Sequence, residues 1–366
     1  MTPVETLRGR KVAVFGLGGS GLSTVRALVA GGVEAAIWDD SEKARERTVA
    51  AGFRLADLAD ADWGSFSVLV LSPGVPLTHP KPHWTVERAR AAGVPVVGDI
   101  ELFVHERDAR APRAPLIAVT GTNGKSTTTA LIAHVLKEAG RDVALGGNIG
   151  VPVLDLPPPA EGRTHVVECS SYQIDLAPSL APSVGLLINI SPDHLDRHGG
   201  LQSYAAIKER LVARSEVALV GVDDDLSRAV CARLKAQDGG PRVIAVSGQD
   251  SALADVLVRN RRVLERDNLG SADLSGARAL RGAHNGQNAA FAYAAARAVG
   301  VPGATIARAF LSFPGLAHRM EEIGRRGRVQ FINDSKATNA DAAEKALKAF
   351  ADVHWIVGGQ PKEGGI

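Results

Sequence analysis

The sequence predicts an α/β protein built on mostly parallel sheets and divided into three units at residues 1–98, 99–315 and 316–366. Three observations carry this. Short apolar runs rich in valine, isoleucine and leucine alternate with helix-length stretches, the pattern of βαβ units whose strands are covered on both faces. Glycine-rich turns directly follow two of those runs, at residues 16–21 and 121–124. At 366 residues the chain is also too long for one ordinary core.

In the first unit, residues 11–15 read as a buried strand, followed by Gly16-Leu-Gly-Gly-Ser-Gly21 and an apolar-periodic helix to Ala30. A second strand, 34–38, ends in Asp39-Asp40. Residues 67–71 are a third, running into Ser72-Pro73-Gly74, and 94–97 a fourth. Strand, Gly-x-Gly-x-x-Gly turn and acidic strand end make this unit Rossmann-like. That turn suits the pyrophosphate of any nucleotide, and fold does not fix ligand, so NAD is not preferred.

The charged stretch 105–113, closing in Ala111-Pro112 and Ala114-Pro115, reads as a linker. In the central, P-loop-type ATPase unit, strands are expected at 116–119, 165–168, 184–188, 218–221 and 243–246. Helices are expected at 127–139 and 288–299. The third unit begins another α/β pattern, with strands at 329–332 and 354–357. Too few residues follow for a domain of roughly 100–150 residues, so a C-terminally truncated, partial Rossmann-like unit is expected.

Charge is balanced, 42 basic against 40 acidic residues for a net +2, which argues against a nucleic-acid partner. Two cysteines, Cys169 and Cys231, cannot make a disulfide framework. The polar N-terminus has no signal-like apolar segment, and no apolar run is long enough to span a bilayer. A reducing, cytoplasmic setting without membrane insertion follows as the expectation.

Gly121-Thr122-Asn123-Gly124-Lys125-Ser126-Thr127 is a phosphate loop. Its glycines allow a tight turn, its N–H groups and the helix N-terminus cradle anions, Lys125 reaches the β- and γ-phosphates, and Ser126 can bind Mg²⁺. The usual Walker pattern is incomplete, because Val119 stands where its first glycine would fall. Glu168 closes a strand, where a carboxylate faces the ligand crevice and can hold Mg²⁺ or simply cap the next segment. His194 follows another buried strand and could be a metal ligand or a base; Asp196 and His198 could be turn residues. Spacing does not separate Lys208 from its neighbour Arg210. Cys169 reads as a small buried hydrophobe.

These motifs occur in order with Gly146-Gly-Asn-Ile-Gly150, Glu168-Cys-Ser-Ser-Tyr-Gln173, Ser191-Pro-Asp-His-Leu-Asp-Arg197, His284-Asn-Gly-Gln-Asn288, Gly315-Leu-Ala-His-Arg319 and Asn333-Asp-Ser-Lys-Ala-Thr-Asn339. Together they closely resemble the Mur ligases of peptidoglycan synthesis, over essentially the whole chain. Gly98-Asp-Ile-Glu-Leu-Phe103 and the N-terminal glycine motif resemble the D-glutamate-adding branch.

The resemblance implies a monomeric bacterial enzyme acting on UDP-N-acetylmuramoyl-L-alanine, D-glutamate and ATP with two Mg²⁺ ions. A substrate carboxylate attacks the γ-phosphate, and the amine of D-glutamate then attacks the acyl phosphate. By resemblance, Ser126 and Glu168 serve one Mg²⁺, and His194 and a carbamate on Lys208 the other. Asn148 contacts substrate near the reacting carboxylate; Asn285, Asn288, Arg319 and Asp334 contact ATP. Gly19, Ser20, Asp39, Asp40 and Ser72 hold the UDP portion, and Lys336, Thr338 and Lys362 face the reacting groups or the amino acid. A sister ligase, a nucleotide-binding chain that does not complete the ligation, and an NAD-dependent dehydrogenase are the competing expectations.

Overall fold

The computed structural model describes residues 1–266, 268–338 and 340–359. In the first unit, β1 (Lys11–Phe15), β2 (Glu34–Trp38), β3 (Val68–Leu71) and β4 (Val96–Val97) form a parallel sheet in the order β2-β1-β3-β4. Helices α1 (Gly19–Ala30), α2 (Glu42–Ala50) and α3 (Trp84–Ala91) make the crossovers. The chain builds β2 on one side of β1 and β3 on the other. A crevice therefore opens beyond the ends of β1 and β3, at the switch point of the sheet. Gly16 closes β1 with φ +93°, and a Cβ there would sit 2.6 Å from Ser72 Cβ.

The expected linker at 105–113 is a correction: α4 (Asp99–Arg110) runs through most of it. Its charges are packed and paired. Buried Glu106 accepts the Thr6 N–H at 2.7 Å and Arg110 Nε at 3.1 Å, while buried Arg107 donates through Nε to Ala114 O at 2.9 Å. Buried charge is tolerated when it is bonded in this way, so the charged composition marked a paired helix face.

The central sheet comprises β5 (Leu116–Thr120), β6 (Asp142–Gly147), β7 (Arg163–Glu168), β8 (Val184–Leu187), β9 (Val217–Gly221), β10 (Arg242–Val246), β11 (Val256–Arg259), β12 (Arg262–Glu265) and β13 (Asn268–Asp273). Their order is β13-β12-β11-β10-β9-β8-β5-β7-β6. Neighbours from β6 to β11 pair in parallel, and β12 and β13 extend that edge antiparallel. Helices α5 (Lys125–Glu138), α6 (Ser171–Asp175), α7 (Leu195–His198), α8 (Leu201–Ala213), α9 (Asp225–Lys235), α10 (Ala283–Ala298) and α11 (Gly303–Ser312) cover it.

Alanines 289, 292 and 296 of α10 are buried, and such small side chains bring the helix close to α5. Leu131, Leu136, Phe291 and Phe310 fill this face. On the other face one apolar cluster runs from Val14 and Leu28 of the first unit through Phe103 to Leu187 and Leu211. The two units thus share a core, which fixes how their crevices meet.

After Phe313 the chain forms a hairpin, β14 (Glu321–Arg326) against β15 (Val329–Asn333), and a helix, α12 (Ala340–Leu347). The strand expected at 354–357 is a second correction: residues 353–359 have no regular secondary structure, and Ile356 is 99% exposed. An apolar run becomes a strand only where a neighbour completes its hydrogen bonds, and among the described residues none does.

Candidate active site

β5 is the switch strand of the large sheet, with β7 on one side and β8 on the other. The phosphate loop leaves its C-terminal end. Gly121 (φ +155°) and Gly124 (φ +84°) hold backbone conformations that side chains rarely adopt, and Gly124 caps α5. A Cβ on Gly124 would run into Asn288 Oδ1, the same oxygen that accepts the Thr128 hydroxyl at 3.2 Å. The loop is tied down from the β8 side. Thr122 N–H donates to Asn189 O (2.9 Å) and Asn123 N–H to Asn189 Oδ1 (2.9 Å), while Ser191 N–H donates to Thr122 Oγ1 (3.0 Å). Lys125, half-buried, donates through Nζ to Gly121 O (2.9 Å) and Thr122 O (2.8 Å). Burial lowers its pKa, and Glu168 and Asp193 partly oppose this.

Glu168 ends β7 and is buried. Its Oε1 accepts Asn148 Nδ2 at 2.8 Å, while its Oε2 is buried without a hydrogen-bond partner. An orphaned carboxylate oxygen at a strand end beside the phosphate loop suits a hard cation, so the donor set fits Mg²⁺ there. Lys208 lies on α8, fully buried, and donates through Nζ to Thr120 Oγ1 (3.2 Å) and Gly121 O (2.9 Å). Burial, reinforced by the neighbouring Lys125, lowers its pKa well below that of a free lysine. The ambiguity between Lys208 and Arg210 is thereby resolved by geometry: Arg210 points away and pairs with Asp175.

His194 begins α7 in the left-handed conformation (φ 54°), its Nε2 lying 3.5 Å from Asp193 Oδ2 and its ring 5.2 Å from that of Tyr172. Among the described residues no three acidic, histidine or cysteine side chains converge as a metal cluster. Ser126, Glu168 and Lys208 border the loop, whereas the His194 ring is turned toward Asp193. His198, read as a turn residue, is buried: its Nε2 is 2.9 Å from Ser171 Oγ and its ring stacks on Tyr172. Burial lowers its pKa to about 4. Cys169 is fully buried, which raises its thiol pKa far out of the reactive range.

A cleft of about 750 Å³, open to solvent, lies over the loop. Asn123, Gly124, Thr127, Asn288, Arg319 and Asp334 are among the residues lining it. Asn288 Nδ2 donates to Asn285 Oδ1 (2.9 Å), which fixes both amides at the start of α10. From the third unit, Arg319 Nη2 donates to Ser126 Oγ at 2.9 Å, and Asp334 Oδ1 accepts Met320 N–H at 3.0 Å. Lys336 and Thr338 are exposed beyond the cleft, and Lys362 lies outside the described residues. Sequence reasoning missed Asn189 as the clamp of the loop. It also missed Gln287, which donates through Nε2 to Asp223 Oδ2 (2.9 Å) and accepts Asn189 Nδ2 (3.2 Å).

The first unit's crevice holds a second, smaller pocket, lined in part by Ser20, Gly21, Thr24, Ser72 and Asp99. Ser72 Oγ donates to Gly16 O (2.7 Å) and so braces the glycine turn. Asp39 Oδ2 accepts Leu17 N–H (2.6 Å) and Oδ1 accepts Ser41 N–H (2.7 Å); Asp40 Oδ2 lies 3.0 Å from His83 Nε2. Gly19 opens α1 with free space where a side chain would be. Asp99, within the Gly98–Phe103 motif, is buried, and desolvation raises its pKa.

A glycine loop at a sheet switch point, with a strand-end acid, a buried lysine and a half-buried one beside it, defines a nucleoside-triphosphate-binding α/β protein. Comparison with known proteins is more specific. Residues 119–296 match the Mur ligase middle domain, and residues 10–98 the N-terminal domain of MurD-like Mur ligases. The UDP-N-acetylmuramoylalanine–D-glutamate ligase of Rhizobium etli is 58% identical over the whole chain, which spans 78% of that relative. The ligases of the same name from Rhizobium meliloti and Brucella abortus are 55% and 54% identical, each spanned to 79%. The fold is shared with a solved UDP-N-acetylmuramate–alanine ligase from Thermotoga maritima (TM-score 0.57, 20% identity, covering 93% of this chain and 77% of that one). A murein peptide ligase from Psychrobacter arcticus gives 0.58 at 19% identity, covering 93% and 75%. The chain belongs to the Mur ligase family, on its UDP-N-acetylmuramoylalanine–D-glutamate ligase branch.

Proposed function

We propose that this chain joins D-glutamate to UDP-N-acetylmuramoyl-L-alanine at the expense of ATP, in the bacterial cytoplasm and as a monomer. No helix among the described residues is long and apolar enough to cross a membrane. The observation that carries the chemistry is the meeting of Lys125, Lys208 and Glu168 around one loop.

The first step brings a carboxylate onto a phosphate, two anions, so positive charge must be held where they meet. Lys125 is poised for this: its amine leaves Gly121 O and Thr122 O for the β- and γ-phosphates, whose charge favours its protonated form. Asn148 orients the substrate carboxylate from beside Glu168. Attack transfers the phosphoryl group to the carboxylate, and ADP leaves. The amine of D-glutamate then attacks the acyl carbon, and phosphate departs with the C–O bond pair as the amide forms. Ser126 and Glu168 would hold one Mg²⁺, and His194, once turned from Asp193, would hold the second with a carbamate on Lys208; the ions would supply charge neutralisation. Lys208 suits carbamylation because burial favours the neutral, nucleophilic amine. Arg319 and Asp334 close on the nucleotide from the third unit, and Asn285 and Asn288 hold it from α10. Gly19, Ser20, Asp39, Asp40 and Ser72 take the UDP portion, and Lys336, Thr338 and Lys362 serve the amino-acid side.

Phosphate release from ATP, measured with UDP-N-acetylmuramoyl-L-alanine and each of D-glutamate, L-alanine and meso-diaminopimelate, tests the reading. Release must depend on the UDP substrate and be stimulated by D-glutamate alone. Stimulation by another of these amino acids would move the chain to a sister branch.

A further inference from the structure

We propose that His79 is a positioning residue for this ligation: it holds the substrate loop of the first unit in register with the turn that carries His194. The inference rests on the function proposed above. The segment 72–83 leaves β3 at Ser72 and is braced within itself and from α3. Val75 N–H donates to Ser72 O (2.9 Å), His83 N–H to Pro76 O (3.0 Å), and Arg90 Nη2 to Leu77 O (3.3 Å). Its tip reaches the central unit. There the His79 ring, its Nδ1 3.1 Å from Thr78 Oγ1, lies directly against Gly199. A Cβ on Gly199 would fall 2.6 Å from Nε2, 2.7 Å from Cε1 and 3.1 Å from Cδ2 of that ring.

Gly199 (φ +73°) closes α7, the four-residue helix that His194 opens, so both ends of this short turn are left-handed. The turn is anchored to the central unit through His198 on Ser171 and Tyr172, and Ser191 ties the preceding residues to the phosphate loop. His79 adds an anchor from the first unit. The shared core sets the two units, but the ligation also needs this loop and turn in register, because the UDP portion is held on one unit and the γ-phosphate on the other. Their reacting atoms must meet within about 3–3.5 Å, and a misplacement of about 1 Å can cost roughly 100-fold in rate. A side chain that touches no reacting atom can therefore set the rate through register.

The test is a double-mutant cycle of His79→Ala and Gly199→Ala in the Mg²⁺-supported assay. His79→Ala is expected to lower kcat about 10-fold or more, leave the KM for ATP within about twofold, and leave Tm nearly unchanged. Gly199→Ala drives a methyl group into the ring, so removing the ring must relieve part of its defect. The double variant then turns over at least as fast as Gly199→Ala alone. A wild-type kcat in His79→Ala overturns the proposal, as do single-variant losses that simply multiply in the double variant. Coupling seen in Tm but not in kcat would reduce the contact to packing and overturn it equally. A wild-type chain without D-glutamate-stimulated phosphate release fails the function reading instead. The register is then read from affinity for UDP-N-acetylmuramoyl-L-alanine by calorimetry with Mg²⁺ and a non-hydrolysable ATP analogue present. His79→Ala must weaken that affinity about fivefold or more, and unchanged affinity overturns the proposal.

Discussion

Replacing Lys208 by methionine separates the chemical role of this lysine from its packing. Methionine fills a similar volume but cannot donate, so the bonds to Thr120 Oγ1 and Gly121 O are lost. At about 1 kcal/mol each, this costs roughly 2 kcal/mol. Gly121 O keeps Lys125 as a partner, which limits the damage. Against the loss stands the penalty of keeping an ammonium group out of water, effectively several kcal/mol for an unpaired buried ion. The lowered pKa of Lys208 already reflects that penalty. The opposing contributions leave a net change within about 1–2 kcal/mol, a Tm shift of only a few degrees.

Activity should behave differently. On the proposed carbamate role, removing the amine removes the oxygen ligand, and loss of such a preorganised charge costs about 10²–10³ in kcat. Stability against pH gives a second reading. With the pKa lowered in the folded chain, the unfolded chain binds more protons between that value and about 10.4. The penalty is full below the folded pKa and fades as pH rises to the unfolded value, so wild-type stability rises with pH through this window. Denaturant titrations from about pH 7 to 10, toward the unfolded value, in CO₂-free buffer should show a shallower rise for Lys208→Met. Some slope remains, because Lys125 shifts in the same direction. A variant retaining more than a tenth of wild-type kcat, or one with an unchanged pH slope, would refute this reasoning.

Glu168→Gln keeps an acceptor for Asn148 but removes the charge beside the orphaned oxygen, so the Mg²⁺ concentration for half-maximal rate should rise at least about 10-fold, with Tm little changed. Gly124→Ala places a methyl group against Asn288 in a left-handed residue. About 1–2 kcal/mol of backbone strain and a weakened Thr128–Asn288 bond predict a stability loss of roughly 2–3 kcal/mol by urea titration, with ATP binding abolished. Asp39→Ala releases the Leu17 and Ser41 N–H groups. It should raise the KM for the UDP substrate about 10-fold or more while leaving that for ATP within twofold.

What the sequence revealed follows from how each signal arises. Buried parallel strands such as Leu116–Thr120 and Val184–Leu187 are continuous apolar runs, and left-handed glycines such as Gly124 cannot be replaced cheaply. Both survive in a one-dimensional reading, and with them the loop and the strand-end acid. The β11–β13 edge was not anticipated, because Arg259, Arg262 and Glu265 interrupt its apolar pattern and an edge strand owes its form to its neighbour. Helix α4 was mistaken for a linker because its charges are paired with residues as distant as Thr6. Asn189, Gln287 and Asp99 escaped for the same reason: each matters through a partner far away in the chain. Lys208 could be preferred over Arg210 only by resemblance until the structure placed one amine under the loop and the other side chain on Asp175.

The central claim is that this chain forms an acyl phosphate on UDP-N-acetylmuramoyl-L-alanine and passes it to D-glutamate. Positional isotope transfer tests it most directly. With ¹⁸O in the substrate carboxylate, ATP, Mg²⁺ and D-glutamate, the released phosphate should carry one ¹⁸O for each UDP-N-acetylmuramoyl-L-alanyl-D-glutamate formed. Product accompanied by unlabelled phosphate would contradict the mechanism, and phosphate release without product would contradict the ligation itself.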